Sequence, residues 1–300
     1  MPELPEVETL RRELVKAIKG KTIKSAVCNW LKMVRPLTVL EFQTKIKNKK
    51  IIGVNRKSKV LILDLAGPLA LLIHLKLTGQ LIFRDQTACL PAGRSEIRKK
   101  TLVVGGHPQK GGLDNLPNKF THLILNFTDG SKLFFNDLRK FGWARLVNDL
   151  GVAEMIEKHG PEPLTKEFSF LYFQTILKKY PNRKIKQILL DQALISGLGN
   201  IYVDESCFCA KVLPMRTAKS LKPEEIKKLF SCIPEILKFA IAKKGTSADT
   251  YVQLNGQPGG MVPYLKVYGR KGQKCKRCGG VVEKIKLNGR GTHFCRSCQK

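Results

Sequence analysis

A chain that begins Met1-Pro2-Glu3 offers, once Met1 is removed, the secondary amine of Pro2 beside a carboxylate. An α-amino group titrates near roughly 8, about two units below a lysine, so an appreciable share is unprotonated and nucleophilic at neutral pH. Such an amine can attack the C1' carbon of a sugar and hold it as an iminium ion. The same residues also suit an ordinary helix start, with proline in the first turn and Glu3 and Glu6 near the positive end of the dipole. Position alone does not choose between the two.

A second group of residues reads as a metal site. Cys275, Cys278, Cys295 and Cys298 are spaced C-x2-C-x16-C-x2-C, which fits one tetrahedral zinc held by four thiolates. Four thiolates leave no open coordination position, so this zinc is structural. Between the pairs, 281–287 and 292–294 form two strands around Asn288-Gly289, a hairpin turn that presents Arg290. Residues 266–300 carry eleven Lys or Arg against the single acid Glu283, a balance suited to phosphate. The other five cysteines, Cys28, Cys89, Cys207, Cys209 and Cys232, are scattered, and the odd total favours reduced thiols with a metal over a disulfide framework.

The whole chain shares the basic balance. Its 300 residues hold 54 Lys or Arg against 24 Asp or Glu, a net charge of +30, which points to a polyanionic partner, foremost nucleic acid. No run reaches the apolar length of a membrane span, and no cationic start precedes an apolar signal region. The length suffices for two or three packed units.

These groups need elements to position them. Val7, Leu10, Leu14, Ala17 and Ile18 lie at helical spacing over 5–19, with Gly20 as a stop. Short β-type runs follow at 22–30, 51–54, 60–63, 69–75, 122–127, 132–135 and 143–147, an antiparallel sandwich. Residues 84–119, rich in Gly and Pro and carrying Arg98-Lys99-Lys100, read as an inserted surface loop. Helical patterns take over at 149–159, 165–179, 183–192, 200–210 and 222–243. Within them, Ile195-Ser196-Gly197-Leu198-Gly199-Asn200 joins two helices by a glycine turn. Its amides and the following helix start form a phosphate seat, with Asn200 as cap or donor, although the spacing equally suits a plain helical hairpin.

Taken in order, Pro2-Glu3-Leu4-Pro5-Glu6-Val7-Glu8-Thr9, Asp137-Leu138-Arg139-Lys140-Phe141-Gly142, Gly197-Leu198-Gly199-Asn200-Ile201-Tyr202, Val267-Tyr268-Gly269-Arg270 and the terminal cysteine ribbon resemble the bacterial formamidopyrimidine-DNA glycosylase family. The resemblance runs from Pro2 to Lys300 and is broken mainly at 84–119. It implies an α+β multidomain fold: an N-terminal catalytic β-sandwich with flanking helices over 1–147, a helical helix-two-turn-helix domain over 148–265 and a β-hairpin zinc ribbon over 266–300. DNA would lie in the cleft between the halves.

The resemblance also implies roles. Pro2 is the amine nucleophile, Glu3 the acid that helps open the sugar ring, and Lys59 a contact to phosphate and lesion, with Lys57 as its rival. Asn200 and Arg290 grip the phosphates flanking an everted nucleotide, and Lys186 and Arg270 are further DNA contacts. A base cannot be attacked at C1' while stacked, so it must be extruded and its gap filled. Arg139 and Phe141 resemble that wedge. The third wedge position, methionine in the family, is Leu77 here, of similar volume. Lys140 replaces a usual arginine and lacks its planar fork. Thr246 to Tyr251 resembles a loop covering the everted base.

The activity implied is a bifunctional DNA glycosylase and abasic-site lyase for oxidised purines, with β- then δ-elimination. The partner is double-stranded DNA carrying damaged bases or abasic sites, and the protein is a cytoplasmic, nucleoid-associated monomer with no membrane partner. One alternative is the related endonuclease VIII, specific for oxidised pyrimidines, whose start usually has Gly where this chain has Leu4. The other is a non-catalytic zinc-ribbon DNA-binding protein.

Overall fold

The computed structural model describes residues 1–85, 116–246 and 259–300 with their side chains, and 101–104 as backbone. The basic run Arg98-Lys99-Lys100 and the covering loop after Thr246 lie outside the described residues. Two compact units make up the described chain, Met1–Pro2 with Glu6–Ile156, and Glu3–Pro5 with the residues from Glu157 to Thr246 and from Gly260 to Lys300.

Helix α1 (Leu4–Ile18) leads into the first unit, where Leu10, Leu14 and Ile18 are fully buried. Each such side chain contributes about 1.5–3 kcal/mol of burial. There follow β1 (Ile23–Cys28), α2 (Val39–Ile46), β2 (Ile51–Lys57), β3 (Val60–Leu65), β4 (Leu69–His74), β5 (Gly79–Arg84), β6 (Thr101–Val104), β7 (Thr121–Phe127), β8 (Lys132–Asp137), β9 (Trp143–Asn148) and α3 (Asp149–Glu157). The strands form two antiparallel sheets, ordered β1-β7-β8-β5-β6 and β2-β3-β4-β9. The two-residue period of a strand divides its side chains between faces. Leu61, Leu63 and Leu65 of β3 join Leu71 and Ile73 of β4, and Leu133 and Phe135 of β8, in the core between the sheets. Val60, Ile62, Ala70 and Leu72 face the other way, where Val152 and Met155 of α3 cover them. That helix thus stays with the sandwich.

Two elements depart from the sequence expectation. Residues 84–119 are not loop throughout, because Thr101–Val104 pairs antiparallel with β5 as an edge strand. Helix α2 was not expected, yet Thr38 and Glu41 form a capping box at its start, Thr38 Oγ1 accepting from the Glu41 amide at 3.2 Å.

The second unit contains α4 (Phe170–Lys179), α5 (Ile185–Leu190), α6 (Asn200–Cys209), α7 (Pro223–Ala242), β10 (Glu283–Leu287) and β11 (Arg290–Phe294). Leu229, Cys232, Ile233, Leu237 and Ala240 mark the buried stripe of α7, at the i, i+3, i+4 spacing of an amphipathic helix. They share a core with Tyr202, Val203 and Cys207 of α6. Against the expectation of reduced thiols outside the quartet, Cys209 and Cys232 form a disulfide joining α6 to α7, their Cα atoms 6.0 Å apart. The helical packing creates that pairing, which linear spacing does not display.

One ionic cluster ties α1 to the β2–β3 hairpin. The Glu8 carboxylate accepts from Arg11 Nη2 and Arg12 Nε, both at 2.8 Å, and from Arg56 Nε at 3.3 Å. Arg56 also donates to the Ser58 carbonyl at 2.9 Å, within the turn that carries Lys59. Burial alone would raise the Glu8 carboxyl, but the hydrogen bonds from Arg11 and Arg12 and the charges of Arg11 and Arg56 hold it at about 2. A carboxylate whose folded value lies below its unfolded value stabilises the fold above the unfolded value and loses that contribution as pH falls toward the folded one. Glu8→Gln should therefore cost roughly 2 kcal/mol at neutral pH, discounted for the exposed Arg12. The variant's stability, measured by urea unfolding, should also fall less steeply than the parent's between about pH 5 and pH 2. Identical pH slopes in the two proteins would remove Glu8 from this role.

Candidate functional site

In the second unit the chain turns from α5 into α6 through Gly197, at φ +92°, and Gly199. The Gly197 carbonyl accepts from the Leu4 amide at 3.0 Å, which brings the start of the chain to this turn. Glu3 then occupies the start of α6. Its Oε1 accepts from the Ile201 amide at 2.9 Å and its Oε2 from the Tyr202 amide at 3.4 Å. Gly199 is the N-cap residue, and a Cβ there would overlap the Glu3 carboxyl, so glycine is required for this approach. The first-turn amides of a helix need acceptors, and here a side chain almost two hundred residues away in sequence supplies them. The helix start expected to seat a phosphate is thus filled by Glu3, and Asn200 is the first helical residue rather than the cap.

Asn200 instead faces the ribbon. Its Nδ2 donates to the Gly291 carbonyl at 2.9 Å, while its Oδ1 is buried and accepts no hydrogen bond among the described residues. Lys186 Nζ donates to the same carbonyl at 3.1 Å and to Asp204 Oδ1 at 2.6 Å. Asp204, fully buried on α6, also accepts from the His293 amide at 2.8 Å. One carboxylate and one carbonyl thereby fix Lys186, Asn200 and β11 together. Lys186 is itself only 1% exposed, and it lines a recess of about 280 Å³ together with Arg183, Asp191, Asn288 and Arg290. Arg290 is exposed beside the hairpin turn, whose Asn288 and Gly289 have φ of +48° and +75°. Arg270 is placed differently. Its guanidinium donates to the Lys266 and Lys274 carbonyls at 2.7 and 2.8 Å and to Gln273 at 3.0 Å, bracing the approach to the ribbon.

That approach has a further anchor. Glu205, next to Asp204 and 1% exposed, accepts from the amides of Lys266, Val267 and Tyr268, each at 2.9 Å. Burial pushes its carboxyl up despite those bonds. Neither acid was singled out from the sequence. The available signal was two adjacent acids inside the apolar run Ile201-Tyr202-Val203-Asp204-Glu205, where a carboxylate must find partners.

The four expected zinc ligands converge. Their sulfurs lie within 4.8 Å of one another, with Cys275–Cys298 at 3.8 Å and Cys278–Cys295 at 3.6 Å. A tetrahedron of thiolates about 2.3 Å from zinc has edges of ~3.8 Å. The residues therefore fit one structural zinc, with no ligand position left for chemistry.

In the first unit Pro2 is buried. Lys59 is 5% exposed in the two-residue Ser58-Lys59 turn, where Ser58 takes φ +57°, and Lys57 is half-buried at the end of β2. Leu77, half-buried, follows β4. Leu138, Arg139, Lys140 and Phe141 are all exposed after β8, with the Arg139 guanidinium 4.9 Å from the centroid of the Phe141 ring.

Three family models match the chain: the formamidopyrimidine-DNA glycosylase N-terminal domain over residues 1–144, the formamidopyrimidine-DNA glycosylase H2TH domain over 159–252, and a zinc finger found in FPG and IleRS over 272–300. A curated formamidopyrimidine-DNA glycosylase of Listeria monocytogenes is 40% identical over 302 residues, covering all of both chains. Among solved structures, Lactococcus lactis Fpg in complex with abasic-site DNA matches with a TM-score of 0.83 at 37% identity, covering 99% of each chain. A Lactococcus lactis variant bound to DNA containing Fapy-dG matches with the same score and identity over both whole chains.

The cysteine geometry has a direct check. Atomic spectroscopy on the purified protein should find one zinc per chain, and Cys295→Ser should lower that content well below one. Full zinc in the variant would show that Cys295 is not a ligand.

Proposed function

The chain belongs to the formamidopyrimidine-DNA glycosylase family of DNA-repair enzymes, and on that premise we propose that it excises oxidised purines from duplex DNA and then cleaves the abasic strand through the Pro2 amine. The amine forms a bond to C1' as the glycosidic bond breaks and the purine leaves. The sugar ring opens with a proton delivered to its oxygen, a step assigned to Glu3, and the product is an iminium ion. That cation acidifies the C2' proton, whose removal expels the 3' phosphate. A second elimination expels the 5' phosphate, and hydrolysis of the iminium frees Pro2.

The observation that carries this reading is the fixation of Glu3. Two amides of α6 hold its carboxylate and the Leu4 amide is tied to Gly197, so the residue next to the amine has no freedom to wander. Holding a nucleophile in reach of its target converts a bimolecular attack into an effectively unimolecular one. Arg290 and Asn200 hold the phosphates beside the everted nucleotide, Lys186 supports them from below, and Lys59 contacts phosphate and lesion. Leu77, Arg139 and Phe141 fill the gap in the stack. Zinc, when bound, holds the ribbon hairpin in shape and supplies no step. The net charge of +30 supports retention on the phosphate backbone of DNA, and the protein is read as a cytoplasmic, nucleoid-associated monomer.

Pro2→Gly, or protein retaining Met1, should lose most base excision while still binding DNA, and the borohydride adduct of the parent should map to Pro2. An adduct on Lys59 would overturn the assignment. Glu3→Gln should lose single-turnover excision while keeping the fold. Excision from duplexes carrying oxidised guanine should exceed that from duplexes carrying oxidised thymine, and the reverse order would favour the pyrimidine enzyme. Arg290→Ala should lower affinity on lesion, abasic and undamaged duplexes alike and reduce the slope of log affinity against log salt by roughly one. Unchanged slope and affinity would remove Arg290 from the phosphates.

A further inference from the structure

The wedge residues Leu77, Arg139 and Phe141 come from two separate loops. Residues 75–78 leave β4 for β5 and residues 138–142 leave β8 for β9, so each loop passes from one sheet of the sandwich to the other, in opposite directions. The registers set them side by side, since Gly79 pairs with Asp137 in one sheet and His74 with Trp143 in the other. Both loops must stand rigidly for their tips to enter a base stack, yet 138–141 exposes four consecutive side chains to solvent. Among the described residues, none of these four side chains is buried in an apolar core.

Asp137 is fully buried at the root of the second loop. Its Oδ2 accepts from the Gly142 amide at 2.7 Å, and its Oδ1 accepts from the Arg139 amide at 3.2 Å and from the Thr78 hydroxyl. The Arg139 amide is shared with Thr78 Oγ1 at 3.1 Å. A single carboxylate therefore closes the ends of the Arg139–Phe141 loop and clasps it to the residue that follows Leu77. The backbone of the loop bears the geometry: Lys140 takes φ +55°, and a Cβ on Gly142 would press on Phe135 and on Asp137. The Asp137 carbonyl is held too, by His122 Nε2 at 2.8 Å. Charge-assisted hydrogen bonds of this kind hold their donors about twice as strongly as neutral ones.

We propose that Asp137, with Thr78, is the positioning residue for base eversion, locking the two wedge-bearing loops into one unit so that Leu77, Arg139 and Phe141 enter the stack together. It touches neither the lesion nor the reacting atoms. The proposal rests on the wedge reading given above for those three residues. Two substrates separate eversion from chemistry. A lesion in duplex DNA must be unstacked from its neighbours, whereas a single-stranded abasic oligonucleotide offers Pro2 an aldehydic sugar with no opposite strand and no gap to fill.

The test compares Asp137→Asn, Thr78→Val and Thr78→Ser with the full-length parent. Asn keeps the size of Asp137 but turns an amide toward one of its donors. Val removes the Thr78 hydroxyl, and Ser keeps it. A fluorescent cytosine analogue opposite oxidised guanine reports unstacking, and borohydride trapping on single-stranded abasic DNA reports the amine. Asp137→Asn and Thr78→Val should slow both the fluorescence change and duplex excision about tenfold, the effect of one charge-assisted hydrogen bond. Trapping on the single strand should stay within about twofold of the parent, and Thr78→Ser should match the parent throughout.

Unchanged duplex kinetics, an equal loss on both substrates, or a Thr78→Ser variant as slow as Thr78→Val would overturn the proposal. Should Asp137→Asn fail to fold, the Thr78 pair decides alone. Phe141→Ala serves as the control for the underlying reading. If it leaves the fluorescence change intact, the wedge assignment falls and the proposal with it. If it abolishes the change while the Asp137 and Thr78 variants do not, only the positioning role falls.

Discussion

A carboxylate removed from water must collect hydrogen-bond donors, and this chain repeatedly satisfies that demand with backbone amides next to its functional residues. Glu3 takes two amides at the start of α6, Glu205 takes three from 266–268, Asp204 takes the His293 amide with the Lys186 ammonium, and Asp137 takes two amides and a hydroxyl at the loops 75–78 and 138–142. Amides are fixed in the backbone, so each carboxylate sets the path of a chain segment rather than the rotamer of one side chain. Removing any of them would leave several donors unsatisfied at once, whereas removing an exposed arginine leaves none.

The division of charge follows from this. The chain has 24 acids against 54 lysines and arginines. Several of those acids sit inside, at 0–3% exposure for Glu3, Asp137, Asp204 and Glu205. Buried acids neutralise little of the outer surface, which keeps the basic excess where a polyanion can meet it. Lys186 is the exception, because its ammonium is buried against Asp204, yet it still borders the recess beside Arg290. A lysine so held has little rotamer freedom left.

Features with a fixed local period or spacing are legible in the sequence. The cysteine quartet, the Asn288-Gly289 hairpin, the amphipathic α1 and α7 and most strands belong to this class. Long-range pairings are not. The Gly197–Asn200 turn read as a phosphate seat because its amides lacked local acceptors, and nothing near it in sequence reveals that Glu3 supplies them. Arg270 was expected as a DNA contact through the family resemblance, and nothing in the sequence signals that its guanidinium donates to the Lys266 and Lys274 carbonyls. The edge strand at 101–104 hid within a Gly- and Pro-rich stretch, and the Cys209–Cys232 bond depends on how α6 meets α7. Only α2 was open to reading, through Thr38 and Glu41.

The departures of this chain from its family resemblance fall where the anchoring allows them. Leu77 and Lys140 stand at positions usually held by methionine and arginine, yet neither side chain accepts or donates any of the bonds that shape its loop. The amides of Arg139 and Gly142 and the hydroxyl of Thr78 do that, with Asp137 receiving them. A loop held by its backbone can change its exposed side chains without changing its course. Substitution at the tip then alters the surface offered to a partner, through volume at Leu77 and loss of a planar fork at Lys140, while the course of the loop persists. The same logic makes Asp137, Thr78 and Gly142 the constrained positions of this edge of the sandwich, although Asp137 and Gly142 are buried and Thr78 is half-buried.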